Sequence, residues 1–354
     1  MKTMLVLNPG STSTKLGIYE NETQVMVKTL RHSAADLKGY DRVADQYQFR
    51  LDAILGLLKE EGFELNKLDA VVGRGGVIKS IPSGTYAVNQ AMIDDVITAK
   101  RGEHASNLGA LLAKELGTQL DIPAFIVDPV VVDELTELAR LSGIPDIERV
   151  SIFHALNQKA IARRYAREAG KSYEDINVIV AHMGGGISVG AHEKGRVVDV
   201  NNALNGEGPY SPERAGGLPV GSLIKECYSG KYTEAEMTRR LVGSGGIVAY
   251  LGTNDMMEVE RRVEAGDQEA TLIYEGMAYQ TAKEIAVCAA VLKGKVDQIL
   301  LTGGIVYSRP IVEWIKERVE FIAPVSLYPG EDELLALAEG ALRVLEGEEE
   351  VKEY

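Results

Sequence analysis

Cysteine is scarce in this chain. Cys227 and Cys288 are the only two among 354 residues. They lie far apart and outside any metal-ligand spacing, so neither a disulfide framework nor a zinc site is encoded, and a cytoplasmic protein with reduced thiols is expected. Long apolar runs are missing too. The first, residues 4–7, is too short for the core of a secretion signal, and no stretch reaches the roughly 20 apolar residues that cross a bilayer. Basic charge is in deficit: 38 Lys and Arg stand against 52 Asp and Glu, a formal net charge of −14. Most of this surface repels nucleic acid and anionic membrane, which excludes both as main partners. Any phosphate site must therefore be local, built from backbone N–H groups and a few chosen cations. There is no G-x-x-x-x-G-K-[ST] loop, no G-x-G-x-x-G opening a helix after the first strand, and no H-x-x-x-H pair. The acidic end, residues 346–354, reads as a frayed, solvated tail.

Glycine, in contrast, is abundant at 37 residues, and several sit in breaks between β-branched runs. Residues 4–7 and 16–19 read as strands around the break Asn8-Pro9-Gly10-Ser11-Thr12-Ser13, with a further strand at 25–30. Residues 178–181, 187–191 and 196–200 repeat this order around Gly184-Gly185-Gly186. Each set is followed by a helical pattern, 47–58 and 270–292, and by a strand ending in glycines, Gly73-Arg74-Gly75-Gly76 and Thr302-Gly303-Gly304. The length is too great for one ordinary core. Two similar α/β halves are the simplest architecture, with a strand at 121–132, a helix at 133–141 and a boundary near Pro129–Pro145. The helix at 333–345 is long enough to return to the first half.

Glycine turns let backbone N–H groups approach an anion, while hydroxyls and Lys15 add donors and charge. One such turn is usually no more than a hairpin. Two in equivalent places could clamp a polyphosphate from both sides. The stretch Asn8-Pro9-Gly10-Ser11-Thr12-Ser13-Thr14-Lys15 resembles the signature of the acetate and butyrate kinase family, within the superfamily of sugar kinases, Hsp70 and actin. The likeness continues through Gly73-Arg74-Gly75-Gly76, residues 125–129, Phe153-His154, residues 182–186, Glu213-Arg214-Ala215-Gly216, residues 245–255 and residues 302–305, essentially the whole chain.

The resemblance implies a duplicated actin-like (ribonuclease H-like) α/β fold with the active site in the interdomain cleft. Domain I would span 1–135 plus 335–354 and handle the acyl substrate and phosphate, and domain II would span 136–334 and bind the nucleotide. It implies reversible transfer of the ATP γ-phosphoryl group to a short carboxylic acid, direct and in line, giving ADP and an acyl phosphate. Catalysis of that kind is positioning and charge neutralisation. On the family pattern, Arg74, Asp128, His154 and Arg214 are catalytic: the arginines grip the acid and the phosphoryl oxygens, Asp128 orients, and His154 donates to the transferring group. Ser11, Ser13, Lys15, His182, Gly184, Gly185 and Gly186 take phosphate oxygens. Asp255, Gly303, Gly304 and Ile305 take the adenosine side. Asn8 and Glu333 are the Mg²⁺ candidates, with Glu331 and Asp332 as neighbours in sequence. Each has a structural alternative: a surface arginine, a turn-forming aspartate, a helix-start histidine, or an acid favoured by a helix N-terminus.

The chain also departs from the family. Gly304-Ile305-Val306-Tyr307-Ser308 replaces the Gly-Ile-Gly-Glu-Asn of acetate-using members, and Met256-Met257 replaces an aromatic and a basic residue. Arg74 is followed at once by Gly75-Gly76, where acetate-using members resemble Arg-Val-Val-His-Gly-Gly. The missing aliphatic bulk suggests more room for an acyl tail, with Phe153 and Pro209 as walls, and each buried methylene is worth about 0.8 kcal/mol. Butyrate is therefore the expected substrate, ahead of isobutyrate or another branched acid, then acetate or propionate. An actin- or Hsp70-like ATP-driven binding protein is the rival from another class. A homodimer or larger homo-oligomer is expected from the family.

Overall fold

The computed structural model describes the whole chain, residues 1–354. It divides into two compact units, Met1–Val132 with Asp332–Tyr354, and Asp133–Glu331. The chain changes unit at 132/133 and 331/332, not at the expected 135/136 and 334/335, so Glu333 belongs to the first unit.

In the first unit, strands β1 (Thr3–Pro9), β2 (Ser13–Glu20), β3 (Thr23–Arg31), β4 (Ala70–Arg74), β5 (Thr85–Ala87) and β6 (Ala124–Val127) form one sheet in the order β3-β2-β1-β4-β6-β5. The first three form an antiparallel meander, β4 and β6 add in parallel, and β5 closes the edge antiparallel. Leu5 and Leu7 of β1 pack with Leu51, Ile54 and Leu58 of helix Tyr47–Glu60 and with Leu112 and Leu116 of helix Asn107–Leu120. Met4 and Val6, on the opposite face by strand alternation, are also fully buried, and helix Glu333–Leu345 packs against the sheet. A central strand covered on both faces must be apolar at nearly every position, which is why residues 4–7 show no alternation.

The second unit repeats the plan. Its strands are β7 (Asn177–Met183), β8 (Ile187–Glu193), β9 (Arg196–Val200), β10 (Gln298–Gly303) and β11 (Val325–Pro329), in the order β11-β10-β7-β8-β9. Ile179, Ala181 and Met183 join the core that includes helices Gln268–Val291 and Arg309–Val319. Val178 and Val180 pack with Ala162 and Ala166 of helix Ala155–Glu168. In both units the first strand turns into the second through three residues, 10–12 and 184–186, and the fourth strand lies parallel beside the first.

Three local expectations are corrected. The strand at 121–132 is only Ala124–Val127, because Asp128 takes a left-handed φ of +37° and Pro129 has no N–H to continue the ladder. The helix at 133–141 shrinks to Glu137–Arg140, capped by Thr136. Asp133 is instead occupied with the Arg140 guanidinium at 2.7 Å and the Leu135 N–H. The acidic tail is not frayed. Lys352 exchanges backbone hydrogen bonds with Thr85 and Ala87, Glu349 pairs with Arg343 at 2.8 Å, and Tyr354 donates to Asp95.

Candidate active site

The first unit gathers its charged candidates at the ends of β1 and β4. Arg74, the last residue of β4, meets Glu333 in a two-pronged pair, with nitrogen–oxygen distances of 2.9 and 3.0 Å. The same guanidinium donates to Asn8 Oδ1 at 3.2 Å, and Asn8 Nδ2 donates to Glu333 Oε2 at 2.5 Å. Glu333 opens its helix, where the dipole favours a carboxylate, and Asp332 caps that helix by accepting from Leu335 N–H. Lys15 is the direct cross-strand partner of Asn8, so its exposed side chain lies on Asn8's face of the sheet. Asp128 is buried. Its Oδ1 accepts from Ser83 Oγ at 2.6 Å and from Gly84 N–H at 2.8 Å, which fixes the carboxylate.

Between Asn8 and Lys15 the chain is held from beneath by a residue that the sequence reading passed over. Arg50 is fully buried and donates to the carbonyls of Gly10, Ser11 and Ser13 at 2.7, 3.1 and 3.0 Å, as well as to Thr14 Oγ1 and Gln46. Its signal was present in the helical pattern: Arg50 falls in phase with Ile54 and Leu58, on the core face.

The second unit places His154 and His182 in a stack, ring centres 4.1 Å apart. Ser188 Oγ accepts from Gln158 Nε2 at 2.8 Å and lies 2.8 Å from His154 Nδ1. This network favours the tautomer in which Ser188 donates to Nδ1 and the proton of His154 sits on Nε2. His182, the penultimate residue of β7, is almost fully buried; its Nε2 lies 3.5 Å from Glu331, and its Nδ1 has no partner. Arg214 lies over Gly186 and donates from Nη1 to the Ala203 carbonyl at 2.8 Å, while its buried Nε has no partner. Burial lowers the Arg214 pKa, and Glu213 opposes that shift. Gly303 has φ +97°, open to glycine at little cost, and a Cβ there would meet the Met183 carbonyl oxygen at 2.3 Å. The turn holding Gly303, Gly304 and Ile305 is thus set tightly against the strand that leads into Gly184, Gly185 and Gly186.

Two expectations change. Asp255 is exposed, and its side chain caps helix Met256–Glu264 by accepting from Met257 and Glu258 N–H, so its visible work is local. The glycines after Arg74 do not open a pocket. A Cβ on Gly75 would meet Pro129 at 2.6 Å and one on Gly76 would meet Asn107 at 2.2 Å, so the space is already filled by neighbours. Phe153 and Pro209 are both buried in the second unit.

Residues 147–323 match the model of the acetokinase family. A probable butyrate kinase of Clostridium botulinum is 59% identical over 351 residues, covering 99% of each chain. Butyrate kinase 1 of Clostridium acetobutylicum is 58% identical over 354 residues, the full length of both. This chain belongs to the acetokinase family. Solved structures agree on the fold: an acetate kinase of Porphyromonas gingivalis superposes with a TM-score of 0.79 at 20% identity, over 98% of this chain and 100% of that one. A propionate kinase of Francisella tularensis gives 0.75 at 20% identity, over 96% and 99%. As an acetokinase-family member the protein is a phosphotransferase with a carboxyl group as acceptor and ATP as co-substrate. No helix is long and apolar enough to cross a membrane.

Proposed function

We propose that this chain transfers the γ-phosphoryl group of ATP to butyrate, reversibly and in line, forming butanoyl phosphate and ADP. The observation that carries the chemistry is Arg74 held at a strand end by Glu333 and Asn8. An anionic acid approaching an anionic phosphoryl group needs a fixed cation, and a guanidinium fork grips either oxyanion. Arg214 supplies a second cation, and its burial strengthens its pull on developing charge. His154, protonated on Nε2, is a donor suited to a phosphoryl oxygen. His182 and Arg214 flank the turn 184–186 that this reading assigns to phosphate oxygens. Asp128 positions rather than deprotonates, because a carboxylic acid substrate is already ionised near neutral pH.

In this reading Asn8 and Glu333 hold Mg²⁺ once Arg74, which otherwise occupies both Glu333 oxygens and Asn8 Oδ1, turns to the substrate. No three His, Cys, Asp or Glu side chains come together as a metal cage. One amide oxygen and one carboxylate are the modest donor set that Mg²⁺ uses when water and phosphate complete its shell. Bound there, the ion would neutralise phosphate charge. In this reading the turns 10–15 and 184–186 hold phosphate oxygens, and the Gly303, Gly304 and Ile305 turn, with Asp255, takes the adenosine side. Phe153 and Pro209 line the acyl site. The first unit, Met1–Val132 with Asp332–Tyr354, serves acid and phosphate; the second, Asp133–Glu331, serves the nucleotide. A cytoplasmic homodimer or larger homo-oligomer completes the proposal.

With Gly75 and Gly76 filled in, the preference for four carbons rests on the two full-length relatives named as butyrate kinases. The test is ADP release with Mg-ATP and hydroxylamine, which traps acyl phosphates, across acetate, propionate, butyrate, isobutyrate and valerate. A maximum at butyrate supports the reading. A maximum at isobutyrate or acetate replaces the substrate and keeps the enzyme class.

A further inference from the structure

The loop 10–13 has an unusual distribution of its backbone groups. Every one of its carbonyls is taken from the protein side: those of Gly10, Ser11 and Ser13 by Arg50, that of Thr12 by the backbone N–H of His32, and that of Ser13 also by the N–H of Gly10. The N–H groups of Ser11 and Thr12 donate to nothing within the protein. A loop so arranged presents donors outward, the polarity that suits an anion. Arg50 causes much of it, because one planar fork gathers three carbonyls that would otherwise splay.

The charge of Arg50 is the second observation. It is fully buried, and its hydrogen bonds go to three backbone carbonyls, the Thr14 hydroxyl and the Gln46 amide, with no carboxylate among them. A buried charge without an opposite charge is costly, and chains usually pair it. Here the positive charge stands directly under the loop. Gln46 fixes the fork through two bonds at 2.8 and 3.2 Å, and Thr14 Oγ1 links it to His32 Nε2 at 2.9 Å. The His32 ring is steadied edge-on against Phe49, with centres 5.2 Å apart. Arg50, Thr14 and His32 thus form one braced support.

We propose that Arg50 is the positioning residue of the phosphate loop, holding its carbonyls inward and supplying, without touching the ligand, the fixed positive charge beneath the γ-phosphoryl group. This rests on the reading of residues 10–15 as the loop for the transferred group. The γ-phosphoryl group distinguishes ATP from ADP, so the readout is the ratio of the two affinities.

Binding of ATP and of ADP is measured by calorimetry on the full chain carrying Arg50→Lys, with Ser13→Ala as the test of the loop itself. Arg50→Lys keeps the charge but loses the fork. The expected result is ATP binding weakened about tenfold with ADP changed less than about twofold, since the lost contacts orient the loop around the third phosphate. Ser13→Ala is expected to weaken ATP selectively as well. If Ser13→Ala is selective and Arg50→Lys lowers only the thermal midpoint, or weakens both nucleotides equally, Arg50 is structural and the inference is overturned. If neither variant is selective, the loop reading itself fails and the inference falls with it. Should Arg50→Lys not fold, Gln46→Leu, which removes the two bonds that fix the fork, is expected to weaken ATP at least about threefold relative to ADP. An unchanged ratio in that variant overturns the inference.

Discussion

Gly186→Ala separates position from presence at Arg214, the arginine proposed to be catalytic. A Cβ at Gly186 would lie 2.0 Å from Arg214 Nη1 and 2.7 Å from Cζ. Ordinary contact begins at 3.4 Å, so the guanidinium must withdraw by about 1.4 Å. The backbone at 186 is outside the left-handed region, so alanine brings no conformational strain there. The colliding atoms are the far end of a flexible side chain, which can move while the turn stays. What is lost is the 2.8 Å bond to the Ala203 carbonyl, worth about 1.5–3 kcal/mol for a charged donor. For a unit of this size that is a fall in thermal midpoint of about 3–12 °C. The kinetic effect is larger, because a misplacement of about 1 Å costs roughly 100-fold in an oriented reaction. We expect a folded protein whose kcat, in the hydroxylamine-trapped forward assay, falls about 100-fold. A folded variant with turnover within about threefold of the parent would refute the claim that Arg214 acts from its place over Gly186.

Glu333→Gln keeps the shape but removes the charge that faces Arg74 and Asn8. Turnover is expected to fall about tenfold or more and the Mg²⁺ concentration for half-maximal rate to rise; an unchanged Mg²⁺ dependence counts against the assignment of Asn8 and Glu333. Stability is expected to fall as pH drops below 6.5. Burial, then Lys159 and Arg163, hold the fully buried His192 well below its ordinary value of 6.5, and burial, then Arg50, lower His32 from the same value. The unfolded chain therefore takes up protons first, and His192 alone contributes a loss of about 1.4 kcal/mol per pH unit below 6.5. Thermal scans from pH 7 to pH 5 check this, and a midpoint that stays level or rises contradicts it.

What the sequence disclosed tracks the range of the interactions involved. The doubled plan of sheet and helix was legible because the β-branched runs and glycine breaks occur twice in the same order. Local chemistry also showed through: the break after Pro9 and the glycines 184–186 are the turns between paired strands. Long-range pairing was less visible. The tail's acidic composition hid that Lys352 adds backbone hydrogen bonds to Thr85 and Ala87. Gly75 and Gly76 looked like space, whereas Pro129 and Asn107, distant in sequence, fill it. Arg50 went unremarked because a cation on the apolar face of a helix makes sense only once the loop carbonyls beside it are known. Asp255 kept its motif but acquired a helix to cap.

The central claim is that the carboxylate, not water, attacks the γ-phosphoryl group. Butyrate labelled with ¹⁸O on both carboxyl oxygens would be incubated with Mg-ATP and the product cleaved by hydroxylamine, which attacks the carbonyl carbon and expels the bridging oxygen with phosphate. The account predicts inorganic phosphate carrying one ¹⁸O atom, in proportion to the ADP formed. Phosphate without the label, appearing at the same rate with and without butyrate, would mean that water is the acceptor and would contradict the account.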